Sequence, residues 1–100
     1  MILEIVTTQI KAGQEEAFEA AFAEASKILA SSKGYISHEL RKCIETKGRY
    51  LNMVQWETVE DHMVGVRGSP QFQEFRAIVS PFYETPSHME HFELIMRNPA

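Results

Sequence analysis

The chain has 100 residues, of which 44% are apolar and 24% are Asp, Glu, Lys or Arg. That size fits one domain spanning residues 1–100, and that balance argues against disorder, collagen and coiled-coil rods. Ten Lys and Arg against 14 Asp and Glu leave a net charge of −4, and with no basic stripe neither nucleic acid nor an anionic membrane is an expected partner.

No apolar run approaches the roughly 18–20 residues of a membrane span. Met1-Ile2-Leu3-Glu4 has no basic n-region, so a cytoplasmic protein without a leader is expected. The single Cys43 can form neither an internal disulfide nor a cysteine-rich zinc site. It has no activating neighbour in the sequence and reads as inert.

Residues 2–10 are rich in β-branched and aliphatic types and read as a strand. Lys11-Ala12-Gly13 is a turn. From Gln14 to about Ser32, the apolar residues Ala17, Phe18, Ala21, Phe22, Ala25, Ile28 and Leu29 recur with a helical period. Glu15 and Glu16 suit that helix's positive end and Lys27 its negative end. Ser31-Ser32-Lys33-Gly34 stops it, with Gly34 as a left-handed cap. Tyr35–Ile44 alternates as a strand, and Thr46-Lys47-Gly48 turns the chain into a second strand, Arg49–Glu57. Thr58 with Asp61 resembles a capping box for a short helix, about Val59–Arg67. Gly68 ends that helix. Ser69-Pro70 starts another, with Ser as cap and Pro at its first position. Its stripe is Phe72, Phe75, Ile78 and Val79, and Ser80-Pro81 closes it. Pro86 leads into a last strand, about His88–Met96.

Strand, helix, hairpin, broken helix, strand is the βαββαβ order of the ferredoxin-like α+β fold, with a four-stranded antiparallel sheet. Right-handed crossovers place both helices on one sheet face. The other face is also apolar, with Leu3 and Ile5 on the first strand and Leu51 and Met53 on the third. An exposed apolar sheet costs roughly 25 cal/mol per Å². A homodimer pairing sheet with sheet is the expected remedy.

Several segments then carry a family likeness that runs over nearly the whole chain. They are Lys11-Ala12-Gly13-Gln14, Gly34-Tyr35, Ser37-His38-Glu39-Leu40, Arg49-Tyr50 and His91-Phe92-Glu93. The most specific are Trp56-Glu57-Thr58-Val59-Glu60-Asp61-His62 and Ser69-Pro70-Gln71-Phe72. The chain resembles the antibiotic biosynthesis monooxygenase family of dimeric α+β barrels. The resemblance implies oxygenation of an acidic aromatic, quinol-like or polyketide-like small molecule, with no metal, flavin or other cofactor. A deprotonated ring of that kind is electron-rich enough to meet O2 directly. The protein must take the proton, stabilise the anion and exclude water. Some relatives degrade haem with an Asn, a Trp and a His. Trp56 matches the second, but Val6 and Arg76 stand at or near the other two positions, so that set is incomplete here. A non-enzymatic binder of small molecules is the alternative reading on the same fold.

The candidate site follows. Trp56 closes the third strand on the face shared with Asn52 and Val54, as a cleft wall or as a packed core residue. His38 shares a face with Ile36 and Leu40 and is a candidate base. One hairpin register sets it opposite Trp56 and the neighbouring register does not. His62, in the first turns of the second helix, is the other candidate base, and Arg67 is a candidate stabiliser of an oxyanion. His91 and Tyr83 are candidates for the cleft wall and lid. His88 and His91 fall on opposite strand faces, so His88-Met89-Glu90-His91 cannot chelate a metal as a strand.

Overall fold

In the computed structural model, the described residues are 1–61 and 68–100. The chain runs β1 (Ile2–Gln9), α1 (Glu15–Leu29), β2 (Tyr35–Lys42), β3 (Arg49–Trp56), α2 (Pro70–Val79) and β4 (His88–Glu93). One 3-10 turn, Ser80–Phe82, follows α2. The strands form one antiparallel sheet in the order β2-β3-β1-β4. This is the ferredoxin-like arrangement that the order of elements predicts.

Local chemistry sets the helix starts. The Ser69 side chain accepts a hydrogen bond from the Phe72 amide at 3.1 Å, with Pro70 at the first helical position. Thr58 Oγ1 accepts from the Asp61 amide at 3.1 Å and donates to Asp61 Oδ2 at 3.0 Å. Both exchanges satisfy donors that a helix start leaves unpaired. Residues 59 and 60 are helical beyond that cap. The rest of the expected Val59–Arg67 helix, with His62 and Arg67, lies outside the described residues.

Gly34 has φ +81°, where a side chain is strained, and a Cβ there would run into the Asp61 carboxylate. It sits at the mouth of β2 rather than directly on the helix end, since α1 closes at Leu29 and Ala30 keeps right-handed geometry.

Helix α1 buries Phe18, Phe22, Ala25 and Leu29, and α2 buries Phe75 and Val79. They meet Tyr50, Val54 and Trp56 of β3 in a single core. Phe18 is the hub, with Tyr50 edge-on at 4.9 Å, Phe22 at 5.9 Å and Phe82 at 6.1 Å between ring centroids. Each such buried ring contributes about 1.5–3 kcal/mol relative to exposure.

The β2–β3 register sets His38 opposite Val54. A bulge between Tyr35 and Ser37 brings Tyr35, not His38, opposite Trp56. The bulge shifts the pairing at its end and could not be read from alternation. The last strand stops at Glu93 rather than Met96, because its partner on β1 is Ile2, where that strand begins. Leu94, Ile95 and Met96 extend beyond the ladder and are exposed.

Candidate active site

The sheet face beneath the helices carries Ile2, Glu4, Val6 and Thr8 from β1 and Tyr50, Asn52, Val54 and Trp56 from β3. Most are apolar, as a covered face requires. Three are not. Glu4, Thr8 and Asn52 are 6%, 5% and 8% exposed and are the buried polar or charged residues among those described. A buried polar side chain is more informative than a buried apolar one. All three line the same cavity.

That cavity has a volume of about 90 Å³, well above the roughly 10–15 Å³ that one water needs. Its floor is β1 and β3, flanked by Leu40 of β2 and Met89 of β4. Its roof is aromatic, with Phe18 and Phe22 from α1 and Phe72 and Phe75 from α2. Arg76, an exposed residue, marks where it reaches the surface. Tyr83 closes that end. The Ile10–Tyr83 bridge and the 2.7 Å bond from the Glu84 amide to the Gln9 carbonyl pin its loop to the end of β1. Burial pushes the Tyr83 hydroxyl's pKa up, and the nearby Arg76 charge partly opposes this. Tyr83 is therefore an O–H donor at neutral pH.

Glu4 and Asn52 define the polar part of the floor. Glu4 pairs with Val54, and Val6 pairs with Asn52. Glu4 and Asn52 are thus diagonal neighbours, roughly 7–8 Å apart on adjacent strands. Glu4 Oε1 accepts a 2.9 Å hydrogen bond from Trp56 Nε1. Asn52 Oδ1 is buried and has no hydrogen-bond partner among the described residues. Leaving such a group unmet costs about 1–3 kcal/mol, so the position is suited to a bound polar group.

The structure gathers some of the sequence-derived candidates and separates others. Asn52 and Tyr83 line the cavity. Trp56 is fully buried and stands behind Glu4 rather than on the cavity wall. His91 lies across from Glu4 in the β1–β4 register, on the covered face. His88 pairs with Thr7 on the outer face and bonds Glu90 at 3.0 Å, so the two histidines do point apart.

His38 is half-buried beside the cavity but does not line it. Its Nδ1 bonds the Tyr35 hydroxyl, and its ring packs edge-on to Tyr35 at 5.4 Å and Phe22 at 6.0 Å. Desolvation holds its pKa below the usual histidine value. His62 and Arg67 fall outside the described residues.

Glu4, Thr8 and Arg76 did not stand out as site residues in the sequence. The available signal was the run Ile2, Glu4, Val6, Thr8, Ile10, in which polar residues interrupt the inward-facing positions of β1.

The model for the family described as "Antibiotic biosynthesis monooxygenase" matches residues 1–78. The chain belongs to the antibiotic biosynthesis monooxygenase family. Within and beyond that family, the chain is 45% identical over 93 residues to the uncharacterized protein YczJ of Bacillus subtilis strain 168, covering 93% of this chain and 98% of that one. A Bordetella bronchiseptica structure of the antibiotic biosynthesis monooxygenase type superposes with a TM-score of 0.92 at 35% identity, covering 95% and 97% of the two chains. SnoaB, a cofactor-independent oxygenase from Streptomyces nogalater, superposes with a TM-score of 0.82 at 18% identity, covering 99% and 98%. At that identity the likeness to SnoaB shows the shared fold alone.

Proposed function

We propose that this member of the antibiotic biosynthesis monooxygenase family inserts one oxygen atom of O2 into a small hydroxylated aromatic, quinol-like substrate. The observation that carries the reading is Asn52, whose buried amide oxygen meets no partner among the described residues at the floor of an aromatic-lined cavity. One oxygen atom enters the ring, the other leaves as water, and the substrate supplies all four electrons. The chemistry needs no metal or flavin when the substrate can be deprotonated to an electron-rich anion. The protein's part is to hold the ring out of water, take its proton and steady the charge.

The apolar roof supplies the dry chamber, and the Asn52 amide anchors an oxygen. Arg76 and Tyr83 place donors at the mouth, where charge develops or an acidic substituent rests. The cavity's size favours a single ring, and a fused polycycle must protrude past Arg76. A haem-handling role is disfavoured by Val6 on the cavity floor and Arg76 at its mouth, where the haem-degrading set has other residues.

The protein works as a homodimer in this reading. Leu3, Ile5, Leu51 and Met53 remain partly exposed on the face away from the helices, and Phe92 is 45% exposed beside them. A second sheet laid on this face removes that surface from water.

The test is oxygen uptake with a panel of monocyclic quinols and anthrones. Wild type is compared with Asn52→Leu and with His38→Ala, His62→Ala and Arg67→Ala. The reading expects uptake with at least one quinol and a loss of tenfold or more in Asn52→Leu. It expects the proton acceptor to show as a similar loss in one histidine variant. Thermal stabilisation by the same compounds with no uptake would instead identify a binding protein.

A further inference from the structure

We propose that the mouth of the cavity is a carboxylate-binding subsite built on Arg76 and Tyr83, so that the substrate is a single ring carrying both a hydroxyl and a carboxylate. The proposal rests on the oxygenase reading for its ring chemistry and names the substrate class. The polar groups of the cavity are not spread evenly. Thr8 from β1, Arg76 from α2, Tyr83 from the loop and Ser87 just before β4 all line it. Thr8 pairs with Tyr50, two steps along β1 from the Val6–Asn52 pair. The Ile10–Tyr83 bridge lies two steps further in the same direction. His88 pairs with Thr7, which brings Ser87 to the same end. Four elements thus bring three hydroxyls and a guanidinium to one end of an otherwise aromatic chamber.

An arginine on an exposed helix face needs no ligand to explain it. Arg76 differs in where it stands. It follows Phe72 by four positions, so its side chain shares a helix face with that ring and edges the cavity roof. Among the described residues no carboxylate pairs with it. Its charge is close enough to oppose the upward shift that burial gives the Tyr83 hydroxyl. A guanidinium beside a phenolic O–H offers donors and positive charge, and an anion with two oxygens in a plane fits both. A carboxylate is that anion. The acceptor at the other end of the ring is Asn52 Oδ1, buried and without a partner among the described residues. Thr8 and Asn52 are diagonal neighbours, roughly 7–8 Å apart. One benzene ring with a group at each end spans such a gap. Its hydroxyl donates to Asn52 and its carboxylate rests at the mouth. Glu4 lies four residues back along β1 from Thr8, roughly 13 Å away, so the two carboxylates are kept apart.

The test compares meta- and para-hydroxybenzoate with the corresponding hydroxybenzamides, which keep the ring and the hydroxyl but lack the charge. Affinities are measured by calorimetry on the full chain, without turnover. Wild type is expected to bind at least one hydroxybenzoate about tenfold more tightly than its amide. Arg76→Gln is expected to bring that ratio close to one. Because Arg76 is exposed, the substitution leaves the core intact, and the ratio is insensitive to a loss that affects both ligands alike. A wild type that binds the amides as tightly as the acids overturns the proposal, as does an unchanged ratio in Arg76→Gln. Oxygen uptake separates this proposal from the reading beneath it. Uptake with neutral quinols and no preference for the acids sinks the carboxylate subsite alone. The expected preference with no uptake on any quinol or hydroxybenzoate supports the subsite and sinks the oxygenase reading alone. No binding of any of these rings and no uptake sinks both.

Discussion

Replacing Asn52 by Leu should make the protein more stable and less active. Asn52 is 8% exposed, and its Oδ1 is buried without a partner among the described residues. The folded state carries a desolvation cost of about 1–3 kcal/mol at this atom. Leucine is close in size, removes the polar group and has the cavity beside it to absorb the difference in shape. A water entering the cavity would relieve part of the cost, so the lower half of the range, about 1–2 kcal/mol, is the expected gain. For a domain of this length the unfolding entropy is roughly 0.2 kcal/mol per degree, so Tm should rise by about 5–10 °C. Thermal unfolding followed by calorimetry and by Trp56 emission measures this. A fall in Tm would show that the amide is a structural hydrogen-bonding group and would refute the argument that it waits for a ligand. A protein-stabilising change that abolishes oxygen uptake is the signature of a site held at a cost to the fold.

Other predictions test different links of the argument. Because desolvation lowers the pKa of His38, the unfolded chain binds a proton that the folded one refuses. Stability should therefore fall as pH drops through the ordinary histidine range near 6.5. Tm measured from pH 7.5 to 5.5 should decline less steeply in His38→Phe. Gly34→Ala combines left-handed strain with a collision at Asp61 and should cost at least about 2 kcal/mol in urea unfolding. Ile5→Lys or Met53→Lys, on the outer sheet face, should convert a dimer to monomers in sedimentation while leaving the monomer folded. Tyr50→Phe removes the 2.6 Å donation to Glu19 Oε2. It should lower stability by about 1 kcal/mol, with no effect on ligand binding, because Tyr50 does not line the cavity.

The sequence by itself determined what depends on near neighbours along the chain. The apolar period from Ala17 to Leu29 marked α1, Ser69-Pro70 marked the start of α2, and Thr58 with Asp61 marked a cap. Alternation at Leu3, Ile5, Leu51 and Met53 announced a second apolar sheet face. Element order, with the quoted motifs, pointed to the fold and the family.

What the tertiary structure decided depends on pairings between distant residues. The hairpin register, which runs unbroken from Lys42 opposite Tyr50 to Ser37 opposite Gln55, set His38 opposite Val54 and not Trp56, and the bulge at Tyr35–Ser37 put Tyr35 there instead. Alternation alone fixes neither the register nor a bulge. The end of β1 cut β4 short at Glu93, since a strand lasts only as long as its partner. Glu4 meets Trp56 across 52 positions of sequence, and only three-dimensional closure shows that this carboxylate faces a cavity instead of solvent. Periodicity reports which face a residue is on, whereas a site depends on register and on the gap left between layers, and both are set by contacts that no local pattern encodes.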